Sequence, residues 1–262
     1  MKVVILAGGF GTRLAEETGI RPKPMIEIGG SPILWHILKY YDAFGFSEFV
    51  LALGYKADLI KRYFLDYYQM AGNISLNFKS GQVNAISSTQ ENWKVHLVDT
   101  GMNTMTGGRL KRLRSWLGDE PFMLTYGDGV SDVDIHKLLD YHHNQGKQAT
   151  ITAVRPPARF GELAFQNGMV SKFNEKPLVG DGWINGGFMV LEPGILDILE
   201  GDDSILERDG LEKLAAEGQL SAYRHEGFWQ CMDTLNDKNR LEKLWFSGNP
   251  PWKIWENGAS PG

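Results

Sequence analysis

The chain alternates short apolar runs with stretches whose apolar residues recur every three or four positions. Val3–Leu6 is apolar throughout and predicts a strand buried on both faces. Ser31-Pro32 opens a helix, with Ser31 as cap and Pro32 in the first turn; Ile33, Leu34, Ile37, Tyr40 and Tyr41 share its apolar side. Residues 49–53 predict a second strand, 57–68 the helix after it, and 94–98 a further strand. Gly107-Gly108 precede a helix in which Leu110, Leu113, Trp116 and Leu117 recur at helical spacing, with Arg109, Lys111, Arg112 and Arg114 between them. Phe122–Tyr126 is another buried strand, followed by a helix over 132–145 and a strand over 149–155. The pattern then predicts a strand over 183–191, helices near 193–200 and 211–217, and a last helix over 235–246 carrying Leu235, Leu241, Leu244 and Trp245.

Strands alternating with helices mark βαβ units, so the expected class is α/β: a Rossmann-like open mixed sheet, mostly parallel and flanked by helices. Asn167-Gly168, set between two short apolar runs, is a hairpin signal that adds antiparallel strands. Residues 71–93 are polar and irregular around short strand candidates.

Composition narrows the function classes. With 262 residues and 42% hydrophobic content the chain can bury one full core. A net charge of -5 argues against a nucleic-acid partner, which would favour a strongly basic face. One cysteine excludes an internal disulfide framework and suits a reducing cytosol. The sequence has no apolar run of about eighteen residues, and Met1-Lys2-Val3-Val4 begins a strand without a leader pattern, so the expectation is a cytoplasmic protein with no membrane partner.

The candidate chemistry begins after the first strand. In Gly8-Gly9-Phe10-Gly11, glycines let backbone N–H groups close on phosphate oxygens, because no Cβ blocks the approach and positive φ is permitted. The third glycine of a dinucleotide fingerprint would fall on Leu14, and the Gly-Lys-Ser/Thr ending of a Walker loop is missing. Lys23, between Pro22 and Pro24, is held on a stiff extended path. Asp128, between Gly127 and Gly129 at the end of a buried strand, suits a hard divalent cation, or equally a turn closed on its own backbone. Asp233 reads either as a second metal carboxylate or as the cap of the last helix, with Asp237 a lesser substitute. Glu175-Lys176, beside Pro177, pairs an acceptor for sugar hydroxyls with a cation for phosphate, although the same pair is common in surface turns. His142-His143 are adjacent and diverge on a helix, which excludes a chelating pair; Cys231 reads as a packed residue.

The run from Leu6 to Leu14 with Pro22-Lys23-Pro24-Met25 resembles the signature of the sugar-phosphate nucleotidyltransferases, which make nucleotide-sugars from sugar 1-phosphates. Thr106-Gly107-Gly108-Arg109-Leu110-Lys111-Arg112, Tyr126-Gly127-Asp128-Gly129-Val130, Ile184-Asn185-Gly186-Gly187-Phe188 and the run from Gly227 to Leu235 extend the similarity, especially to the branch that transfers a cytidylyl group. The resemblance implies one domain over 1–256, with a nucleotide-binding half at 1–155, a sugar-binding and oligomerisation half at 156–256, and a tail at 257–262. It implies CTP and glucose 1-phosphate as substrates, Mg2+ as cofactor and a homo-oligomer, a hexamer in the family.

Carried onto this sequence, the resemblance implies Leu6 and Ala7 beside the base, and Gly8, Gly9, Phe10, Gly11 and Thr12 around the phosphates. It implies catalytic roles for Arg13, Lys23 and Asp128, nucleotide contacts from Thr104, Gly108 and Arg109, and metal ligation by Asp128 and Asp233. Glu175, Lys176, Asn185 and Gly186 are implied at the sugar phosphate. A phosphomonoester has a second pKa of about 6, so the incoming nucleophile is already anionic and needs no general base. An enzyme making UDP- or dTDP-glucose would keep every phosphate residue, and a non-catalytic nucleotide-binding module is the other alternative.

Overall fold

The computed structural model describes residues 1–70, 72–86, 91–157, 162–166, 168–174 and 182–255. One sheet organises the chain, built from β1 (Val3–Leu6), β2 (Glu48–Leu53), β3 (Lys94–Asp99), β4 (Phe122–Tyr126), β5 (Ala149–Val154), β6 (Ile184–Asn185), β7 (Met189–Leu191) and β8 (Leu220–His225). From β3 the order runs β2, β1, β4, β7, β5, β8, with β6 on the same edge of β5 as β7. All neighbours are parallel except β6 and β7, which run antiparallel to the strands they join.

β1 is apolar throughout because it is paired on both edges and covered on both faces. Val3 and Ile5 enter one buried cluster, with Ile37, Leu38 and Tyr41 of α1 (Ile33–Ala43), while Val4 and Leu6 enter the other, with Leu110, Leu113 and Leu117. In register, Leu6 stands between Ala52 and Tyr126. The segments that follow β1, β2 and β4 therefore leave from one sheet edge, where α/β folds gather ligands. The other main helices are α2 (Ala57–Met70), α3 (Thr106–Arg112), α4 (Ile135–Gln145) and α5 (Leu235–Phe246). α4 is capped by Asp134, which accepts from the Lys137 N–H at 3.0 Å, and ends at Gly146 with φ 58°. Among the described residues no helix is long and apolar enough to cross a membrane.

Several local expectations are corrected. Ser31 does not cap α1; it pairs with Ile28 in a two-residue ladder, and Pro32 takes the cap position with no side-chain bond. Gly107 and Gly108 lie inside α3 instead of before it, where their missing Cβ atoms admit the backbone of Asp202 and Ser204. Trp116 is not a core residue: it is 43% exposed, since it lies about 120° around the helix axis from Leu110. The strand expected over 183–191 is split into β6 and β7, because Gly187 (φ 78°) and Phe188 (φ 43°) adopt left-handed backbone that breaks the ladder. Residues 206–212 form a π-helical stretch that runs into the short helix Lys213–Ala216.

Within the irregular segment the structure finds an antiparallel hairpin, Asn73–Asn77 with Gln82–Ile86. Glu162–Gln166 pairs antiparallel with Met169–Asn174, as the Asn167-Gly168 signal predicts, although Asn167 itself and the tail at 257–262 lie outside the described residues.

Candidate active site

Leu6, Ala7, Gly8, Gly9, Phe10, Gly11, Arg13, Lys23, Thr104, Arg109 and Asp128 line one cleft of about 390 Å3 at the carboxyl edge of β1 and β4. Pro24, Asn103, Met105, Thr106, Tyr126 and Gly127 complete its walls. Thr12 and Gly108 are outside that lining. Thr12 begins a 3-10 turn with Arg13 and Leu14. The Gly108 N–H donates to the Ser204 carbonyl at 3.0 Å, and a Cβ there would meet the Asp202 backbone at 2.5 Å, so helix packing requires a glycine at this position.

The charged rim of the cleft is built from distant segments. Lys23 starts a 3-10 turn, Lys23–Met25, not the extended path its prolines suggest: Pro22 is extended at φ -67° and ψ 151°, and Pro24 sits in the first turn, where no donor is needed. From there Lys23 Nζ donates to Asp128 Oδ2 and to Asp233 Oδ1, each at 2.5 Å. Burial alone would push the Lys23 ammonium down, but Asp128 and Asp233 outweigh it and hold it above its ordinary value. Arg13 Nη1 donates to the other oxygen of Asp233 at 2.6 Å. The Arg13 side chain is 73% exposed, so this pair is weak in water and open to exchange for a polyanion.

Asp233 and Asp237 separate by function. Thr234 caps α5, and Asp237 completes the capping box by accepting from the Thr234 N–H at 2.9 Å, the Asp233 N–H at 3.2 Å and the Gln230 amide at 3.0 Å. The carboxylate of Asp233 is left to face Lys23 and Arg13. Asp128 and Asp233 thus converge on a single cationic nitrogen, and two carboxylates with phosphate oxygens and waters form a donor set that fits Mg2+. Among the described residues no group of three or more His, Cys, Asp or Glu could hold a metal unaided. Cys231 stands near the same carboxylates; burial first, then Asp233 and Asp128, push its thiol up to about 12, which makes it a packed thiol and not a nucleophile.

Beneath the glycine loop lies a different use of charge. Arg109 is 4% exposed, and its two terminal nitrogens donate to the carbonyls of Gly8, Leu53, Gly101 and Met102 and to Thr100 Oγ1, at 2.7 to 3.1 Å. Burial pulls this guanidinium below its ordinary value, with Asp99 opposing. Although Arg109 lines the cleft, its terminal nitrogens act as a brace that ties together the ends of β1, β2 and β3. A Cβ at Gly8 would lie 2.4 Å from Arg109 Nη1, and one at Gly54 2.3 Å from it, so both glycines are required by the brace. Nothing in the Leu53-Gly54 neighbourhood of the sequence signals this.

On the sugar side, Asn185 Oδ1 accepts from the Gly187 N–H at 3.0 Å, and the Gly186 carbonyl accepts from Trp229 Nε1 at 2.7 Å. Both residues sit at the break between β6 and β7, beside Tyr126, outside the lining of the main cleft. Glu175 and Lys176 lie outside the described residues. The basic residues of α3 and its continuation pair away from the cleft: Arg112 with Asp202 at 2.6 Å, Arg114 with Asp197 at 2.6 Å, and Lys111 with the Leu199 carbonyl.

Comparison with known proteins adds an independent line. A family model described as Nucleotidyl transferase matches residues 2–237. The chain is 50% identical to a glucose-1-phosphate cytidylyltransferase of Salmonella typhi, covering 98% of this chain and 100% of that one. It is 49% identical, over the same shares, to the protein of that name from Salmonella typhimurium (strain LT2). Among solved structures, HddC from Yersinia pseudotuberculosis complexed with GMP-PN superposes with a TM-score of 0.69 at 25% identity, covering 93% of this chain and 99% of that one.

Proposed function

This chain belongs to the nucleotidyl transferase family, and we propose that within it the chain transfers a cytidylyl group from CTP to glucose 1-phosphate, giving CDP-glucose and pyrophosphate. The observation that carries this reading is the convergence of Lys23, Arg13, Asp128 and Asp233 beside a glycine-lined cleft. Near-complete coverage at 50% identity to a cytidylyltransferase of that name supports the choice of substrates.

In the reaction, a phosphate oxygen of glucose 1-phosphate attacks the α-phosphorus of CTP. The bond from that phosphorus to the α,β-bridging oxygen breaks, and pyrophosphate leaves with the electron pair. The nucleophile is already ionised, so the chain contributes position and charge in place of a general base. Arg13 exchanges Asp233 for the pyrophosphate side of CTP. Lys23 exchanges a carboxylate for the α-phosphate and the incoming phosphate, where its charge offsets two mutually repelling anions. Asp128 and Asp233 would hold Mg2+, which supplies charge neutralisation at the phosphoryl oxygens. The Arg109 brace keeps the glycine loop in one shape, so its N–H groups are oriented before the nucleotide arrives.

Glucose 1-phosphate sits, in this reading, between Lys23 and the Asn185-Gly186 turn, with Glu175 and Lys176 as further contacts. We place the reaction in the cytoplasm and the chain in a homo-oligomer. The test is pyrophosphate release with CTP, UTP, dTTP and GTP, each with and without glucose 1-phosphate and a divalent cation. Release from CTP alone among the four, dependent on both additions, is the expected outcome. Equal turnover of UTP would overturn the choice of base, and release without glucose 1-phosphate would overturn the transfer.

A further inference from the structure

One half-buried hydrogen-bond chain beside the cleft takes no part in the reaction described above. Tyr126 closes β4 immediately before Gly127-Asp128, and its hydroxyl donates to Glu207 Oε1 at 2.5 Å. The other oxygen of Glu207 accepts from Thr106 Oγ1 at 2.8 Å, and that hydroxyl in turn accepts from the Leu206 N–H at 2.9 Å. Asn185 Nδ2 donates a long hydrogen bond to the Tyr126 oxygen at 3.5 Å, so that oxygen already serves as an acceptor. Tyr126 and Thr106 line the cleft, and Glu207, outside that lining, is hydrogen-bonded to both.

The chemistry of the chain is directional. A phenol has one proton, and here that proton is committed to a carboxylate. What Tyr126 can offer the cleft is therefore an oxygen lone pair. A lone pair repels phosphate oxygens and accepts from a hydroxyl. Glu207 is set in a π-helical stretch, Leu206–Glu212, whose wider turn is often found at functional sites. The ring is fixed from the other side as well, since a Cβ at Gly187 would lie 3.1 Å from Tyr126 Cδ2.

We infer that Glu207 is a positioning residue that turns Tyr126 into an acceptor for a sugar hydroxyl, and that Tyr126 thereby determines which sugar is accepted. The hydroxyl belongs to one of the two sugars the reaction brings together, the ribose of the nucleotide or the hexose of the acceptor. Tyr126 lies between Thr106, which lines the cleft, and Asn185, at the break between β6 and β7 beside it, so it borders both positions. The inference rests on the proposed transfer reaction.

The experiment compares kcat/KM for CTP against 2′-deoxy-CTP, and for glucose 1-phosphate against its 2-deoxy analogue, in four proteins. These are the wild type, Tyr126→Phe, Glu207→Ala and Glu207→Gln. In the wild type one analogue is expected to lose about tenfold, the worth of a neutral hydrogen bond to a positioned acceptor; the analogue that loses identifies the sugar. Tyr126→Phe keeps the ring and should abolish that preference while turning over both members of the pair. Glu207→Ala should abolish it too, with the hydroxyl still present but free to rotate. Glu207→Gln retains an acceptor for the Tyr126 proton and should restore most of it. A wild type indifferent to both deoxy analogues would overturn the inference, as would Tyr126→Phe or Glu207→Ala with undiminished preference. The natural substrates serve as the control: no turnover of CTP with glucose 1-phosphate by the wild type contradicts the proposed reaction instead.

Discussion

Two regions of the same cleft use arginine and lysine in opposite ways. On the rim, Lys23 and Arg13 hold Asp128 and Asp233; the side chains of Arg13 and Asp128 are 73% and 26% exposed, whereas those of Lys23 and Asp233 are 11% and 10% exposed. On the floor, Arg109 is buried, and its terminal nitrogens are engaged by backbone carbonyls and one hydroxyl. A rim cation can leave one anion for another at little net cost, because the exchange conserves charge pairing. A floor cation cannot leave without stranding several acceptors away from water. The difference separates residues that meet substrate from residues that hold the loop meeting it.

Substitutions can break that contrast, and the largest effect belongs to the rim. Lys23→Ala or Asp128→Asn should lower kcat/KM by about 100- to 1,000-fold, the usual cost of losing one charge-stabilising group, as measured by pyrophosphate release. A change of less than tenfold would place that residue outside the chemistry. Arg109→Met should act first on the fold, costing about 2–4 kcal/mol in denaturant unfolding because it strands buried carbonyls; a mutant that kept full stability and lost only nucleotide affinity would move Arg109 to the rim.

A paired glycine test sharpens the same boundary. Gly8→Ala forces a methyl group into the Arg109 guanidinium and should destabilise by about 1–3 kcal/mol. Gly9→Ala, with nothing within 4 Å of its Cβ, should leave thermal stability unchanged. At the edge of the rim, Asp237→Asn should cost about 1 kcal/mol through the capping box and leave the divalent-ion dependence of the rate unaltered. Cys231→Ser should retain activity, and iodoacetamide at pH 8 should inactivate the wild type slowly, because a thiol pushed up to about 12 is protonated there. Only pH values approaching the raised thiol value generate the thiolate.

β1, β2 and β4 were legible because they are apolar on both faces, and the main helices because they are amphipathic, each reading from neighbours along the chain, whereas β8 mixes polar with apolar residues and raised no strand expectation. β6 and β7 read as one strand because the pattern of 184–191 is continuous; only the left-handed backbone of Gly187 and Phe188 divides it. The rim was legible in Gly8-Gly9-Phe10-Gly11, Lys23 and Asp128, which carry local signals. Asp233 was ambiguous, since a cap and a ligand look alike in sequence until Thr234 and Asp237 are seen to do the capping. The bracing role of Arg109 was hidden for a related reason. Its position at the start of a helix is local information, but its acceptors come from the ends of β1, β2 and β3. Glu207 left no signal at all, because its partners Thr106 and Tyr126 are 101 and 81 residues away along the chain.

The most direct test of direct displacement between two charge-gathered anions is a rapid-quench measurement of pyrophosphate from CTP at enzyme concentrations comparable to substrate. With the divalent ion present and glucose 1-phosphate withheld, the account predicts no burst, and on adding glucose 1-phosphate it predicts pyrophosphate and CDP-glucose in equal amounts from the first turnover. A burst of one pyrophosphate per site before the acceptor is added would contradict it, since the cytidylyl group would then be passing through the protein.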